Sequence, residues 1–427
     1  MRITRRQSLK LGTGTAALLA AARATLPAGA FAQSSGPEIK KAVFGYIALT
    51  DSAPLIIAKE KGFFAKHGLT EADVQKQASW GTTRDNIVLG SGAGGIDGAH
   101  ILTPMPYLIT LGKVTQNNVP LPMVILTRLN YDAQAISVAK QHMSAGAKVS
   151  SAPLREVFAK QIAAGKEVKC AMTFRGGTHD LWIRYWLAAN GIDPEKDVQT
   201  IVVPPPQLVA NMKVGTMDVF CVGEPWNAQL VNQGLGYTAC NTGEIWNKHP
   251  EKSFAVRADW AEKNPKAALA ATMAVQEAAM WCDMPENTKE MCEIVSKRAW
   301  FNVPVDDILG RSSGHFVYGD GREVKGSPHI MKYWKDFASY PYPSHELWFL
   351  TEDIRWGILP GDLDMKALVQ KVNREQIWRD AAKTLGVPAA QIPTSTSRGK
   401  ETFFDGKVFD PENPQAYLDS LSIKKIA

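Results

Sequence analysis

The chain has 427 residues, 48 of them basic and 42 acidic, and a formal net charge of +6. It is long enough for two domains, and its 45% of apolar residues is ordinary for a folded protein. Five basic residues and no acidic residue lie within 1–33, so the rest of the chain carries 43 basic and 42 acidic residues. Because no Lys/Arg run remains outside that segment, the composition argues against binding of nucleic acid or an anionic membrane surface.

The first 33 residues contain the three parts of an export signal in the usual order. Arg5 and Arg6 form a twin-arginine start, residues 11–26 are weakly apolar and rich in Ala and Gly, and Ala30-Phe31-Ala32 is a small-x-small cleavage site. The apolar part is too short for a stable membrane anchor, which needs about 20 residues. We therefore predict a twin-arginine signal peptide over 1–33 and a periplasmic mature protein.

After this segment the chain alternates β-branched runs with helical patterns. Residues 41–47 have the composition of a strand, whereas residues 53–64 and 84–89 have apolar spacing typical of helices, with Pro54 near the first turn. Alternation of this kind predicts an α/β fold of mainly parallel sheets with helices on both faces.

Two segments of the mature chain share one internal pattern. Residues 80–104 and 204–225 each read as loop, helix, Gly stop, short strand and a Pro that opens the next helix. In each segment an aspartate, Asp97 or Asp218, stands seven positions before that Pro. The repetition predicts two similar lobes with a cleft between them, where strand ends and helix N-termini favour an anionic ligand.

Nothing in the sequence predicts catalysis, a metal or another cofactor. The five cysteines form no CxxC pair and have no zinc-ligand spacing, so we expect them to be buried and unpaired. Ser91 and Ser137 have no triad context, and no acidic loop has calcium-site spacing.

Several longer segments resemble the nitrate- and bicarbonate-binding proteins of bacterial ABC transporters, a branch of the type II periplasmic binding proteins. The resemblance extends from about residue 43 to 414, and its most specific parts are 79–86, 98–106, 174–182, 219–227 and 348–357. It implies a two-lobe periplasmic-binding-protein type II fold without catalytic activity. It also implies that the captured anion is delivered to an ABC permease and its ATPase at the inner membrane.

The resemblance also implies a division of the chain into lobes. The first lobe is expected to combine residues 38–137 with 256–395, and the second to span 138–255, with hinges near 138 and 255. Residues 396–427 are expected to form a tail that packs on one lobe without taking part in chemistry.

The family's nitrate site can be carried over residue by residue. The matching positions are Trp80 in a first-lobe loop, Gln134 before a strand, His179 after a Gly-Gly-Thr turn, Pro205 and Val222 lining the second lobe, and Lys252 as the cation. Nitrate is planar, singly charged and only accepts hydrogen bonds. Lys252 can supply the charge, and Gln134, Trp80 and His179 can supply donors.

Three alternatives remain at this stage. A bicarbonate-binding relative would have Glu at the position matched by Lys252, and Glu251 stands directly beside it; the register expected here gives Glu251 only a minor part. An enzyme of the same fold, such as a thiamine-precursor synthase, would show a His- and Cys-rich cluster that this sequence lacks. A cytosolic nitrate sensor would lack the export signal. The prediction is a periplasmic protein that captures nitrate or nitrite.

Overall fold

The computed structural model describes residues 36–150 and 152–426, so the predicted signal peptide at 1–33 lies outside the described residues. Ten strands form two five-stranded sheets. The first sheet contains β1 (Lys41–Tyr46), β2 (Glu71–Lys76), β3 (Gly98–Leu102), β4 (Met123–Arg128) and β10 (Lys252–Arg257). The second contains β5 (Gln134–Ala139), β6 (Lys169–Met172), β7 (Gln199–Val202), β8 (Val219–Gly223) and β9 (Gly236–Asn241).

The remaining elements are helices and two short hairpins. Before the last strand of the first sheet lie α1 (Ala53–Glu60), α2 (Phe63–Lys66), α3 (Trp80–Leu89), α4 (Met105–Thr110), α5 (Ala152–Ala163), α6 (Thr178–Ala189), α7 (Leu208–Lys213), α8 (Trp226–Asn232) and α9 (Thr242–Ile245). After it lie α10 (Ala258–Lys263), α11 (Pro265–Cys282), α12 (Thr288–Ser296), α13 (Asp306–Ser312), α14 (Pro343–Arg355), α15 (Met365–Val372), α16 (Glu375–Thr384) and α17 (Pro414–Asp419). The hairpins pair β11 (Phe316–Val317) with β12 (Glu323–Val324) and β13 (Glu401–Thr402) with β14 (Val408–Phe409). Among the described residues, no helix is long and apolar enough to cross a membrane.

The two sheets have the same topology, which confirms the predicted α/β fold with two similar lobes. Their strand orders are β2-β1-β3-β10-β4 and β7-β6-β8-β5-β9. In each sheet the first three strands are parallel and the fourth runs antiparallel to both of its neighbours. The sheets are therefore mixed rather than mainly parallel, because a strand that arrives from the other lobe enters each of them in the opposite direction.

The repeated aspartates occupy equivalent places in the two lobes. Asp97 Oδ2 accepts a hydrogen bond from the Val43 backbone N–H at 2.9 Å, beside the start of β3. Asp218 Oδ2 accepts one from the Lys169 backbone N–H at 2.8 Å, beside the start of β8. Each carboxylate thus ties the beginning of a central strand to its parallel neighbour, so neither belongs to a catalytic pair.

The helix bounds differ from the expected ones at two points. The helix expected over 53–64 ends at Glu60, and Gly62 adopts a left-handed φ of +74°, which interrupts it before α2. The helix expected from Arg84 begins at Trp80, because Ser79 Oγ accepts a hydrogen bond from the Thr82 N–H at 3.0 Å and caps the earlier start.

Two crossing segments, residues 129–133 and 246–251, connect the lobes and pair with each other. The Leu129 N–H donates to the Lys252 carbonyl at 2.8 Å, and the Asp132 N–H donates to the His249 carbonyl at 3.1 Å. The lobe limits expected at 137/138 and 255/256 consequently fall inside β5 and β10, several residues after the chain has changed sheets.

The tail at 396–427 contacts both lobes rather than one. The Tyr185 hydroxyl of α6, in the second lobe, donates to Asp405 at 2.9 Å. Trp348 Nε1 of α14 donates to the Tyr417 hydroxyl at 3.2 Å. All five cysteines are buried and unpaired, as predicted.

Candidate anion-binding site

Lys252, the first residue of β10, lies at the centre of a polar cluster between the two sheets. Its side chain is fully buried. Its ammonium Nζ donates to Asp51 Oδ2 at 2.9 Å, to Glu251 Oε1 at 2.7 Å and to Gln134 Oε1 at 3.3 Å. Burial would lower the pKa of Lys252, but Asp51 and Glu251 together raise it above its usual value. The lysine is therefore a fixed cation.

Asp51 holds Lys252 on the first-lobe side. It lies in the short 3₁₀ turn Thr50–Ser52 that follows β1, and it also accepts hydrogen bonds from His100 Nε2 at 2.6 Å and from Gln134 Nε2 at 3.1 Å. Burial opposes its ionisation, but Lys252 and His100 outweigh burial and keep the pKa of Asp51 below its usual value. The sequence did not single out Asp51 or His100.

His179 supplies a neutral N–H from the second lobe. It lies in the first turn of α6, and its Nδ1 contacts the Thr173 hydroxyl at 2.6 Å. Gln134 directs its amide nitrogen to Asp51, so its oxygen faces His179 Nε2 at 2.8 Å and accepts a hydrogen bond from it. Burial, and then the charge of Lys252, lower the pKa of His179 well below its usual value. The imidazole is neutral and Nε2 is a donor.

Trp80 contributes a donor that has no partner. The first residue of α3, it is fully buried, and its ring centroid lies 6.0 Å from Lys252 Nζ and 5.2 Å from the His100 ring. Within the described residues its indole Nε1 forms no hydrogen bond. Buried donors are almost always satisfied, so an unpaired one beside the central cation indicates a group that accepts from it.

Glu251 belongs to the hydrogen-bonded cluster as fully as Lys252 does, a position that the sequence did not predict. Its Oε1 accepts from Lys252 and from the Thr178 hydroxyl, and its Oε2 accepts from Trp182 Nε1 at 2.6 Å. Alternation along a strand would separate neighbouring side chains, but Glu251 precedes β10 and lies in the crossing segment. Both side chains can therefore reach the same site.

Gly223, at the end of β8, lets the second lobe approach the cluster closely. A Cβ at this position would lie 2.5 Å from Gln134 Oε1 and 3.2 Å from Asp51 Oδ2. Val222, one residue earlier, is fully buried and opposite Ala135 of β5, and Pro205 is a buried residue that opens the 3₁₀ turn Pro205–Gln207. These two residues are apolar parts of the second lobe and do not join the hydrogen-bonded group.

A cleft between the lobes borders this group. Thr173, which contacts His179, is one of its lining residues, so a single residue separates the cleft from the buried cluster at this point. Its walls come from both lobes: Ser79, Gly81, Arg84 and Val114 on one side, and Thr173, Phe174, Arg175, Val202 and Pro204 on the other. Among the side chains that the structure describes, no set of three His, Cys, Asp or Glu residues is arranged to hold a metal ion.

Comparison with known proteins places this arrangement in a family. A sequence profile of the NMT1-like family matches residues 35–296, more than half of the chain. The chain belongs to the NMT1-like family. The nitrate/nitrite binding protein NrtA of Synechocystis sp. is 62% identical over 393 residues, covering 92% of this chain and 87% of that protein. The bicarbonate-binding protein CmpA of Synechococcus elongatus is 44% identical over 403 residues, covering 92% and 89%.

A solved structure agrees with these sequence relatives. The crystal structure of the periplasmic nitrate-binding protein NrtA from Synechocystis PCC 6803 superimposes with a TM-score of 0.89 at 61% identity, covering 91% of this chain and all of that one. The predicted resemblance to nitrate- and bicarbonate-binding proteins is confirmed, and so is the fold. The chain is a solute-binding protein rather than an enzyme, as these relatives are.

Proposed function

We propose that the mature protein captures nitrate, or nitrite, in the periplasm and delivers it to an ABC importer made of a permease and an ATPase. The observation that carries this proposal is the buried ammonium of Lys252, which lies 3.4 Å from His179 Nε2 of the second lobe and 6.0 Å from the Trp80 ring centroid of the first. The greater identity to a nitrate/nitrite-binding protein than to a bicarbonate-binding protein supports the same ligand.

The donor set suits an anion that only accepts hydrogen bonds. Lys252 supplies the charge, and His179 Nε2, Trp80 Nε1 and the Gln134 amide supply neutral N–H groups. Pro205 and Val222 are buried and offer apolar surface in the second lobe. Exclusion of water strengthens the charge-assisted bond from Lys252 to the ligand.

Bicarbonate is the second candidate, and one observation favours it. Its hydroxyl must donate a hydrogen bond, and the carboxylates of Glu251 and Asp51 both lie within contact of Lys252. Nitrate has no proton to give them. A comparison of the two anions on one protein therefore separates the candidates.

Export through the twin-arginine pathway is part of the proposal. Arg5, Arg6 and the Ala30-Phe31-Ala32 site support it. Mass spectrometry of the periplasmic protein checks it, since cleavage after Ala32 leaves Gln33 as the first residue.

Titration calorimetry of the mature chain against nitrate, nitrite, bicarbonate and an alkanesulfonate, each with and without a chelator, tests the ligand. We expect nitrate and nitrite to bind at least about tenfold more tightly than the other two, a difference of ~1.4 kcal/mol or more, unaffected by the chelator. Tighter binding of bicarbonate, or binding of nitrate that requires an added divalent cation, would overturn the proposal.

A further inference from the structure

The cluster around Lys252 contains more negative than positive charge before any ligand arrives. One ammonium faces the carboxylates of Asp51 and Glu251, and all three side chains are fully buried. With the neighbouring histidines neutral, the formal charge is −1. A bound nitrate would bring it to −2 in a place where water cannot screen it, and uncompensated buried charge is costly.

Lys252 also has no proton left for a ligand. An ammonium has three N–H groups, and these point to Asp51 Oδ2, Glu251 Oε1 and Gln134 Oε1. For nitrate to receive a charge-assisted hydrogen bond from Lys252, one of these three hydrogen bonds must break.

Of the three acceptors, Glu251 is the one that can release the N–H of Lys252, because it can take up a proton. Asp51 is held in its charged form by Lys252 and by His100. Glu251 differs, because burial raises its pKa above the usual value despite the charge of Lys252. Its partner Thr178 is a hydroxyl, which donates to a carboxylate but can rotate and accept from a carboxylic acid. The protonated form of Glu251 therefore finds an acceptor at the same place.

We propose that capture of one nitrate is coupled to the uptake of one proton by Glu251. The proton comes from solvent and adds to a carboxylate oxygen of Glu251, and no other bond is made or broken. The new O–H turns to the Thr178 hydroxyl oxygen, and the freed N–H of Lys252 turns to nitrate. The formal charge of the cluster stays at −1. This inference rests on the proposed function, since it concerns the same site.

None of the other described titratable groups that face Glu251 is better able to bind the proton. His249 Nδ1 lies 3.6 Å from Oε2 on the crossing segment, and His179 Nε2 lies 3.7 Å from Oε1 on α6. Burial lowers the pKa of His249 to about 3 and that of His179 well below its usual value. Cys221 on β8 is a buried thiol whose pKa burial raises, so it is already protonated.

The coupling fixes the sign of the pH dependence. Because the complex holds one proton more than the free protein, nitrate binds more tightly as the pH falls through the range between the pKa of Glu251 in the free protein and its higher value in the complex. Within that range the association constant changes by up to about tenfold per pH unit, which is ~1.4 kcal/mol. Below the lower pKa the affinity is constant.

Calorimetry in buffers of different ionisation enthalpy measures the proton directly. For the full mature chain we expect one proton taken up per nitrate bound, from the slope of the observed enthalpy against that of the buffer. In Glu251→Gln the slope should fall to zero and the affinity should become independent of pH. The matched control is Asp132→Asn in the other crossing segment, where burial raises the pKa to about 7 but the carboxyl does not contact Lys252. Proton uptake should persist in that variant.

Each other outcome has a definite meaning. Nitrate binding by the wild-type protein without proton uptake at any pH, or loss of the uptake in Asp132→Asn but not in Glu251→Gln, overturns the inference and leaves the proposed function intact. No binding of nitrate at any pH overturns the proposed function instead. If Glu251→Gln does not fold, infrared difference spectroscopy of the wild-type protein decides: a protonated-carboxyl band must appear when nitrate is added, and its absence refutes the coupling.

Discussion

The two lobes have the same sheet and the same aspartate at the start of a central strand, but they bring different chemistry to the site. The charged pair Asp51 and Lys252 belongs to the first sheet and its loops, together with His100. The second lobe contributes neutral groups, among them His179 and Thr178 at the start of α6. The two lobes therefore share a fold, but they differ in the charge of the groups that they place at the site.

This difference affects the energetics of opening. Separation of the lobes leaves the ion pair of Asp51 and Lys252 together in the first lobe. It breaks hydrogen bonds that reach across, such as those from Thr178 and Trp182 to Glu251. A buried ion pair that loses one partner costs about 3–5 kcal/mol, whereas a hydrogen bond to a charged group contributes about 1.5–3 kcal/mol. Separation of the lobes would therefore leave the ion pair of Asp51 and Lys252 intact.

The largest effect should come from reversal of the first lobe's charge. Lys252→Glu would place three carboxyl groups together and remove the cation that nitrate needs. Loss of one partner of a desolvated charge pair costs ~2–5 kcal/mol, so calorimetry should find nitrate affinity lower by about thirtyfold or more.

The control for that variant is Lys248→Glu, four residues earlier, in the crossing segment that leads into β10. Lys248 is 40% exposed and pairs with Asp336 at 3.1 Å, away from the cluster. Its nitrate affinity should stay within about threefold of wild type, or ~0.7 kcal/mol. Equal losses in the two variants would show that the crossing segment tolerates no change, and a Lys252→Glu variant that binds normally would remove Lys252 from the site.

A smaller effect should come from the second lobe's closest approach. In Gly223→Ala the added Cβ would lie 2.5 Å from Gln134 Oε1, so the Gln134 side chain or the lobe must shift. Overpacking costs about 1–3 kcal/mol, and nitrate affinity measured by calorimetry should fall by roughly tenfold. Gly92→Ala is the control, because its Cβ would have no neighbour within 4 Å. An unchanged affinity in Gly223→Ala would show that the lobes need not approach this closely.

The sequence predicted the donors and the cation of the site, but not its two carboxylates. Trp80 and His179 lie in segments that resemble the family, and Gln134 and Lys252 matched its nitrate site position by position, so all four could be named from the sequence. Asp51 and Glu251 are two of 42 acidic residues, and no local pattern distinguishes them. Their importance comes from contact with Lys252, which depends on how the crossing segments pair. The lobe limits expected at 138 and 255 fall inside β5 and β10 for the same reason, since a strand's residues do not show which sheet it joins.

The smallest effect should come from Trp80, the neutral donor of the first lobe. It is the exception to the contrast between a charged first lobe and a neutral second lobe. Trp80→Phe removes an Nε1–H that has no partner in the described structure. In the free protein the substitution should reduce only the buried ring area. In the complex it should also remove one hydrogen bond to nitrate, worth ~0.5–1.5 kcal/mol or roughly two- to tenfold in affinity. Trp300→Phe is a close match, because Trp300 is also buried with an unpaired Nε1 but contacts Tyr46 rather than the cluster. Urea unfolding should show similar changes in the two variants, whereas calorimetry should show weaker nitrate binding in Trp80→Phe alone. If both variants bind nitrate as wild type does, the unpaired indole is a feature of packing, and the neutral donors of the site come from the second lobe.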